Sequence, residues 1–186
     1  MRKLYFATGN KGKAGEAQFI LGRDIEIASL ELDEIQSSSL KKIVTHKLNQ
    51  AYSILKKPVM VDDVSLELDA WDKFPGPFVK YMHGGDNKRF LKIFENVENR
   101  NGTLIATIGY HDGKKTHCFT GKIRITISHK EKGSGGWGLD AVLIPEAYRQ
   151  TFAEMGEETK NAISHRRKAL LMLKRFLDSK KSKNDI

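Results

Sequence analysis

The N-terminal segment brings together residue types that bind phosphate groups. A short apolar run, Leu4–Phe6, leads into the polar loop Thr8–Lys13, whose sequence is Thr-Gly-Asn-Lys-Gly-Lys. If this loop opens a helix, the backbone N–H groups of the first turn lack intrahelical partners and attract an anion together with the helix dipole. Lys11 and Lys13 add positive charge. No Gly-Lys-Ser/Thr triplet follows at the distance that a P-loop requires, and the loop taken alone fits an ordinary strand–helix turn slightly better.

Acidic side chains follow a second apolar run, Val59–Val61, which ends in Asp62 and Asp63. Ligands of open α/β sheets bind just outside the C-terminal ends of strands, and carboxylate oxygens suit Mg²⁺, which also binds phosphates. Side chains alternate along a strand, so only one of the two acids can face a given site. Glu34, in a polar connector, is a candidate second ligand of the same metal. A common strand-end turn is the simpler interpretation of the acid pair.

Lys47 lies beside the apolar stripe of a predicted helix. The stripe consists of Val44, Leu48, Ala51 and Leu55, and Lys47 follows Val44 by three positions. The long side chain can extend along the helix to water. It can equally point into a cleft and bind an anion there, and the spacing does not separate these alternatives.

The segment Gly135–Asp140 combines a flexible loop, a large aromatic ring and an acid. Trp137 could stack on a nucleic base, a contact worth roughly 1–3 kcal/mol in proteins that bind single strands. A tryptophan buried in the core is the more frequent arrangement.

Polar side chains cluster at the start of the last predicted helix. Lys160 and Ser164 are four residues apart and are expected to face one way. Arg166 is a planar donor suited to phosphate or carbonyl oxygens, whereas an isolated helical histidine such as His165 is more often structural. Together with the loop, the acids and the tryptophan, these residues describe a nucleotide site with a metal.

Alternating strands and helices position these residues. The strands are predicted at residues 3–8, 25–30, 58–62, 103–111, 115–128 and 141–144, and residues 65–70 are predicted to continue the strand at 58–62 or to pair with it. The helices are predicted from the N-terminal loop to Leu21, at 40–55 with Ser39 as cap, at 78–82, at 87–97 and at 157–179. Asp112-Gly113 marks a hairpin. The pattern predicts an α/β or α+β domain with a mixed sheet.

Composition limits the class of protein. The chain has 186 residues, which fits one domain or one domain with two lobes, and no apolar run approaches the roughly 20 residues of a membrane span. A single cysteine, Cys118, predicts a reducing cytoplasm. The net charge of +9 suits a polyanionic partner or, equally, a solvated lysine-rich surface. Basic residues are concentrated towards the C-terminus, through residues 180–183, and the last few residues of the chain are expected to form a frayed tail.

The chain resembles the inosine triphosphate pyrophosphatases, the Ham1-like house-cleaning nucleotide hydrolases, nearly from end to end. The opening pattern Thr-x-Asn-x-x-Lys-x-x-Glu is matched by Thr8, Asn10, Lys13 and Glu16. The other matching segments, in chain order, are Asp62-Asp63 with Leu66, Phe74–Pro77, Trp137–Asp140, Thr151–Met155 and Lys160–Arg166.

The resemblance implies a fold, a reaction and a set of site residues. The fold is a two-lobed, elongated α/β structure with a nucleotide cleft between the lobes, assembled as a homodimer. The reaction is Mg²⁺-dependent hydrolysis of ITP, dITP or XTP to the monophosphate and pyrophosphate. Glu34 and Asp63 bind the metal, Asp63 acts as the general base, and Lys47 contacts phosphate. Thr8, Gly9, Asn10, Lys11, Gly12 and Lys13 hold the triphosphate, and Trp137, Gly138, Leu139, Asp140, Lys160, His165 and Arg166 enclose the nucleotide and read its base.

Three positions depart from the family pattern. Val64 replaces a hydroxyl residue that helps to hold substrate, Leu139 replaces the second aromatic residue, and Ala141 replaces a proline. These changes leave open a related pyrophosphatase with an altered base preference, or a homologue that binds nucleotides without turnover. A non-catalytic nucleic-acid-binding module would explain the net charge but not the paired acids, because acids repel a polyanion, and nucleic acid is therefore not expected as the main ligand.

Overall fold

The computed structural model describes residues 3–181, and seven strands in this part of the chain form one mixed sheet. The strands are β1 (Leu4–Ala7), β2 (Ile25–Ala28), β3 (Val59–Leu68), β4 (Pro75–Gly76), β5 (Asn101–His111), β6 (Thr116–Ile127) and β7 (Leu143–Pro145). Their order is β2-β1-β3-β5-β6-β7, and β4 pairs with β3. β1 is parallel to β2 and β3, whereas β4 and β7 are antiparallel to their neighbours. The predicted mixed α/β sheet is confirmed.

Six α-helices accompany the sheet within the described residues. They are α1 (Lys11–Leu21), α2 (Leu40–Leu55), α3 (Val79–His83), α4 (Asn87–Lys92), α5 (Gly156–Ile163) and α6 (His165–Lys181). Gly22 ends α1 in the left-handed conformation that glycine adopts without steric cost. Ser39 Oγ accepts a hydrogen bond from Lys42 N at 3.4 Å, as predicted for the residue that caps α2.

The described residues fall into two compact units. Unit 1 contains residues 3–63, 106–121 and 166–181, and unit 2 contains residues 64–105 and 122–165. In unit 1, α1 and α6 pack on one apolar cluster that includes Phe6, Met60 and Leu170. A second cluster in unit 1 joins Val44 and Leu48 of α2 to the sheet.

Unit 2 has its own apolar core. Phe90 and Phe94 are fully buried there against side chains of the strands, including Leu66 and Ile127. Arg100 is also buried, and its guanidinium donates to the carbonyl oxygens of Phe94, Ile127 and Ser128 at 2.6–2.9 Å. These bonds satisfy a charged group that would otherwise destabilise the interior.

The prediction of one last helix from residue 157 to 179 is wrong. Ser164 has an extended backbone, with φ −60° and ψ 153°, and it separates α5 from α6. Lys160 therefore lies in the last turn of α5, and Arg166 lies in the first turn of α6 and belongs to a different unit. Neither glycine nor proline marks the break. Serine is compatible with it, because a serine hydroxyl can form hydrogen bonds to nearby backbone groups in extended as well as helical conformations.

Several further boundaries differ from the prediction, and α4, predicted to reach residue 97, ends at Lys92. β3 continues through the acid pair to Leu68, which confirms that residues 65–68 extend the strand that contains Asp62. Ala141 was predicted to begin a strand but ends a 3₁₀ turn that precedes β7. Within residues 3–181, the helices are too short or too polar to cross a membrane. Residues 182 and 183, which belong to the predicted frayed tail, lie outside the described residues.

Candidate functional site

The polar loop of unit 1 opens α1, as the sequence predicts. Thr8 Oγ1 accepts a hydrogen bond from Asn10 N, and Asn10 Oδ1 accepts one from Lys13 N, both at 3.1 Å. These bonds fix the loop and cap the helix. Lys11 and Gly12 are the first helical residues, so their amides precede the intrahelical ladder. The helix N-terminus therefore presents the donors and the positive dipole end that bind an anion.

Four charged residues form a buried ionic cluster next to this loop, namely Lys13, Glu16, Asp62 and Arg166. Asp62 Oδ2 accepts a hydrogen bond from Arg166 Nε at 2.6 Å, and Asp62 Oδ1 forms an ion pair with Lys13 Nζ. Arg166 Nη1 also donates to Glu16 Oε2 at 2.6 Å. The side chains of Glu16, Asp62 and Arg166 are almost completely buried, whereas that of Lys13 is 18% exposed. The cluster joins β3, α1 and the start of α6.

Burial alone would raise the pKa of Asp62. The charges of Arg166 and Lys13, with their hydrogen bonds, outweigh burial and hold the pKa of Asp62 well below its usual range. Burial likewise opposes the charged form of Arg166, but Asp62 and Glu16 raise its pKa above the usual value. Asp62 and Arg166 are therefore both charged at neutral pH.

Lys47 bridges two carboxylates in unit 1. Its Nζ lies 2.5 Å from Glu34 Oε1 and 2.8 Å from Asp63 Oδ2. Only 12% of the Lys47 side chain is exposed, so the side chain meets acids rather than extending to water. Burial lowers the pKa of Lys47, but the negative charges of Asp63 and Glu34 have the larger effect. The pKa of Lys47 is therefore raised above its usual value. Lys47 is thus a cation held between the two predicted metal ligands.

The two adjacent acids of β3 form ion pairs with different residues, because side chains alternate along a strand. Asp62 contacts Lys13 and Arg166, while Asp63 contacts Lys47. The expected division between the two acids is confirmed.

The donor set around Lys47 fits a hard divalent cation. Within the described residues, no group of three or more His, Cys, Asp and Glu side chains is arranged to hold a metal. Glu34 Oε1 and Asp63 Oδ2 nevertheless both face one positive charge, the Lys47 ammonium. Mg²⁺ is commonly bound by one or two carboxylates, and waters and substrate phosphates complete its shell.

A second group of predicted residues meets in unit 2. Asp140 Oδ2 accepts hydrogen bonds from Trp137 N at 2.8 Å and from Lys160 Nζ at 2.7 Å. Lys160 Nζ also lies 5.3 Å from the centroid of the Trp137 ring, within range of a cation–π contact. Trp137 is 36% exposed and is therefore not a core tryptophan. The Asp140 carboxylate thus binds both the backbone N–H of Trp137 and the Lys160 ammonium.

Glycines allow the loop before Trp137 to approach its neighbours. Gly133 has φ +79°, and a Cβ there would lie 2.5 Å from the backbone carbon of Ala153. Gly136 has φ +72°, and a Cβ there would overlap the Asp140 carboxylate. The loop is built around glycine at these two positions.

The remaining predicted residues of unit 2 differ in their surroundings. Val64 and Leu139 are partly buried and pack against the apolar core of this unit. Gly138 begins a 3₁₀ turn and has φ +62°. His165 is buried at the start of α6.

Two residues of the ionic cluster were missing from the predicted site. The sequence pattern gives Glu16 only a place in a motif, and it gives Asp62 no role separate from that of Asp63. A glutamate among the buried residues of α1 must have a positive partner. That requirement is the signal that could have found the cluster, but sequence alone does not show that Glu16 is buried.

Comparisons with known proteins agree with this architecture. The Ham1 family model, described as Ham1p_like, matches residues 4–176. A protein of Methanopyrus kandleri named dITP/XTP pyrophosphatase is 42% identical over 173 residues, covering 90% of this chain and 92% of its own. A protein of Hyperthermus butylicus with the same name is 37% identical, with 95% of each chain covered.

Solved structures share the fold. A Ham1 protein from Staphylococcus aureus superimposes with a TM-score of 0.82 at 24% identity, and one from Coxiella burnetii with 0.84 at 23% identity. Each match covers 96% of this chain and 100% of the other. The family match spans most of the chain, the relatives exceed one-third identity, and the chain therefore belongs to the Ham1 family.

Proposed function

We propose that this protein hydrolyses deaminated purine nucleoside triphosphates, namely ITP, dITP and XTP, to the nucleoside monophosphate and pyrophosphate. The observation that carries the proposal is the pair of carboxylates, Glu34 and Asp63, that share the Lys47 ammonium in the unit containing the Thr8–Lys13 loop. The relatives named dITP/XTP pyrophosphatase support the substrate class.

Unit 1 is assigned to the triphosphate. The amides at the start of α1 and the ammonium groups of Lys11 and Lys13 supply donors and positive charge for phosphate oxygens. Arg166 and Asp62 fix Lys13, so its charge is preorganised rather than recruited from solvent. Positioning and charge neutralisation account for most of catalysis in reactions of phosphates.

Glu34 and Asp63 are assigned as the ligands of Mg²⁺. Mg²⁺ held by Glu34 and Asp63 would supply positive charge to the phosphates and would make a water more acidic. Asp63 accepts the proton of the attacking water as its oxygen bonds to the α-phosphorus. The bond between that phosphorus and the bridging oxygen breaks, and pyrophosphate leaves with the electron pair.

Unit 2 is assigned to the base. The exposed indole of Trp137 offers a face for stacking, and Lys160 supplies a donor beside it. Leu139, which replaces the second aromatic residue of the family pattern, packs on the apolar core. Stacking on the base is therefore assigned to Trp137 alone. His165 is assigned to recognition of the 6-oxo group. Arg166, to which the family resemblance gives the same role, is instead buried in unit 1, where its guanidinium binds Asp62 and Glu16. Donors placed against an oxo group disfavour a 6-amino purine, because buried donors would then face donors.

The test is pyrophosphate release from ITP, dITP, XTP, GTP and ATP, with and without Mg²⁺. Asp63→Asn should abolish turnover while the circular dichroism spectrum is retained. Asp24→Asn, at an exposed residue between α1 and β2, is the matched control and should keep full activity. Full turnover by the Asp63→Asn variant would reject the metal and base assignments, and salt-dependent oligonucleotide binding without pyrophosphate release would favour a nucleic-acid-binding module.

The assembly and the compartment are part of the proposal. We propose a homodimer that acts in the cytoplasm, which the family resemblance and the use of a single cysteine, Cys118, support. Light scattering coupled to size exclusion should return twice the chain mass of 21.0 kDa.

A further inference from the structure

The contacts of Lys47 connect three separate segments of unit 1. Lys47 itself lies on α2, Glu34 lies in the connector before that helix, and Asp63 lies on β3. A single ammonium reaches both carboxylates, at 2.5 and 2.8 Å. Two carboxylates that face one position repel each other, and the ammonium offsets that repulsion.

The carboxylates are open to exchange of their shared cation. Glu34 is 37% exposed and Asp63 is 25% exposed at the side chain, so both can be reached from solvent without unfolding. Lys47 is attached through a flexible four-carbon stem, and its ammonium can change position while the helix stays in place. A divalent ion that binds the same two oxygens must displace the ammonium, because both positive charges cannot share one position.

We propose that Lys47 is a tethered counter-ion that occupies the metal position of the apo protein and exchanges with the incoming divalent cation. This inference rests on the proposed function, because it takes Glu34 and Asp63 as the metal ligands. The released ammonium then pairs with substrate phosphate, as Lys47 is assigned to do.

The exchange links metal binding to nucleotide binding. Without nucleotide, the cation must displace Lys47 from two acids with no phosphate to receive it. With nucleotide present, the phosphate provides that partner, so metal and nucleotide strengthen each other's binding reciprocally. Lys47 thereby offsets the repulsion between Glu34 and Asp63 when no metal is bound, and it keeps the affinity of the two acids for free metal low.

The test measures metal affinity rather than activity. Mn²⁺ serves as the probe, and isothermal titration without nucleotide compares the wild-type protein with Lys47→Met, Lys47→Arg and Lys42→Met. Lys42 is exposed on the same helix and provides the matched control. Removing the competing charge should tighten Mn²⁺ binding by Lys47→Met about tenfold. Lys47→Arg keeps the charge and should stay close to the wild type, as should Lys42→Met.

A thermal readout checks the same competition if Lys47→Met is less stable. Its melting temperature in chelator should be lower than that of the wild type, and saturating Mg²⁺ should raise it more than it raises the wild type. Equal or weaker Mn²⁺ binding by Lys47→Met would overturn the exchange.

Pyrophosphate release by the wild-type protein, measured beside the Mn²⁺ affinities, distinguishes failure of this inference from failure of the proposed function. Mg²⁺-dependent pyrophosphate release from dITP together with unchanged Mn²⁺ affinity in Lys47→Met rejects the exchange alone. Metal-independent release, with no Mn²⁺ binding by any variant, rejects the exchange and the metal assignment together.

Discussion

Arg166 Nε lies 2.6 Å from Asp62 Oδ2, although the two residues are 104 positions apart in the chain. The bond connects the first turn of α6 to β3. The Asp62 carboxylate also forms an ion pair with Lys13 at the start of α1. A charged side chain that is buried in this way is tolerated only because each charge meets an opposite one. The cluster therefore stabilises unit 1, and it also orients Lys13 in the loop Thr8–Lys13 that is proposed to bind phosphate.

Removal of the arginine should destabilise the protein strongly. Arg166→Ala leaves Asp62 and Glu16 buried without the guanidinium, and breaking one side of a buried ion pair costs about 3–5 kcal/mol. Urea denaturation followed by circular dichroism measures the loss as a lower midpoint. Arg175→Ala, at an exposed position of the same helix, should change the free energy of unfolding by less than about 0.5 kcal/mol. Similar midpoints for the two variants would contradict the role given to the cluster.

The cluster should also set the response to acid. In the unfolded chain Asp62 titrates near its ordinary pKa of 3.8, whereas in the folded protein its pKa is depressed. Above the unfolded pKa the ion pairs contribute fully to stability. As the pH falls below that value, the unfolded state binds a proton that the folded state resists, so the contribution is lost as the pH approaches the folded pKa.

The measurement compares the free energy of unfolding at several pH values from about 5 downward. The wild-type protein should lose stability more steeply than Asp62→Asn, which has no carboxylate to titrate at this position. Parallel slopes for the two proteins would show that other groups dominate the acid response.

Local patterns predicted the elements that carry the site. The cap at Ser39, the glycine after α1 and the alternation that separates Asp62 from Asp63 are all properties of short segments. Such properties are readable because a few neighbouring residues determine them.

Longer-range features were not predictable in the same way. The partner of Glu16 is 150 positions away at Arg166, and a distance of that kind depends on the whole chain path. The break at Ser164 also escaped prediction, because no glycine or proline signals it and the flanking apolar pattern continues through it. Lys47 illustrates the intermediate case: its place beside the stripe was clear, but only the fold shows that two acids face it.

The indole of Trp137 should govern nucleotide affinity under the proposed function. Stacking of a base on an aromatic ring contributes about 1–3 kcal/mol, so Trp137→Ala should raise KM for dITP by about tenfold or more. Trp137→Phe keeps a stacking face and should recover most of the loss. Steady-state pyrophosphate release provides the measurement, with Tyr148→Ala as a control at another exposed aromatic residue of unit 2. An unchanged KM in Trp137→Ala would remove this residue from the base site.

The loop that leads to Trp137 should tolerate no side chain at Gly133. A methyl group there would press against the backbone of Ala153 at 2.5 Å, and φ of +79° is unfavourable for any residue with a Cβ. Gly113 has φ +99°, but no atom lies within 4 Å of the position that a methyl group would take there, so Gly113→Ala reports the backbone strain alone. Gly133→Ala should therefore lower the free energy of unfolding by about 1–3 kcal/mol more than Gly113→Ala does, which urea denaturation can measure. Equal losses would mean that the loop moves away from Ala153 at little cost, and that its close approach does not hold Trp137 in place.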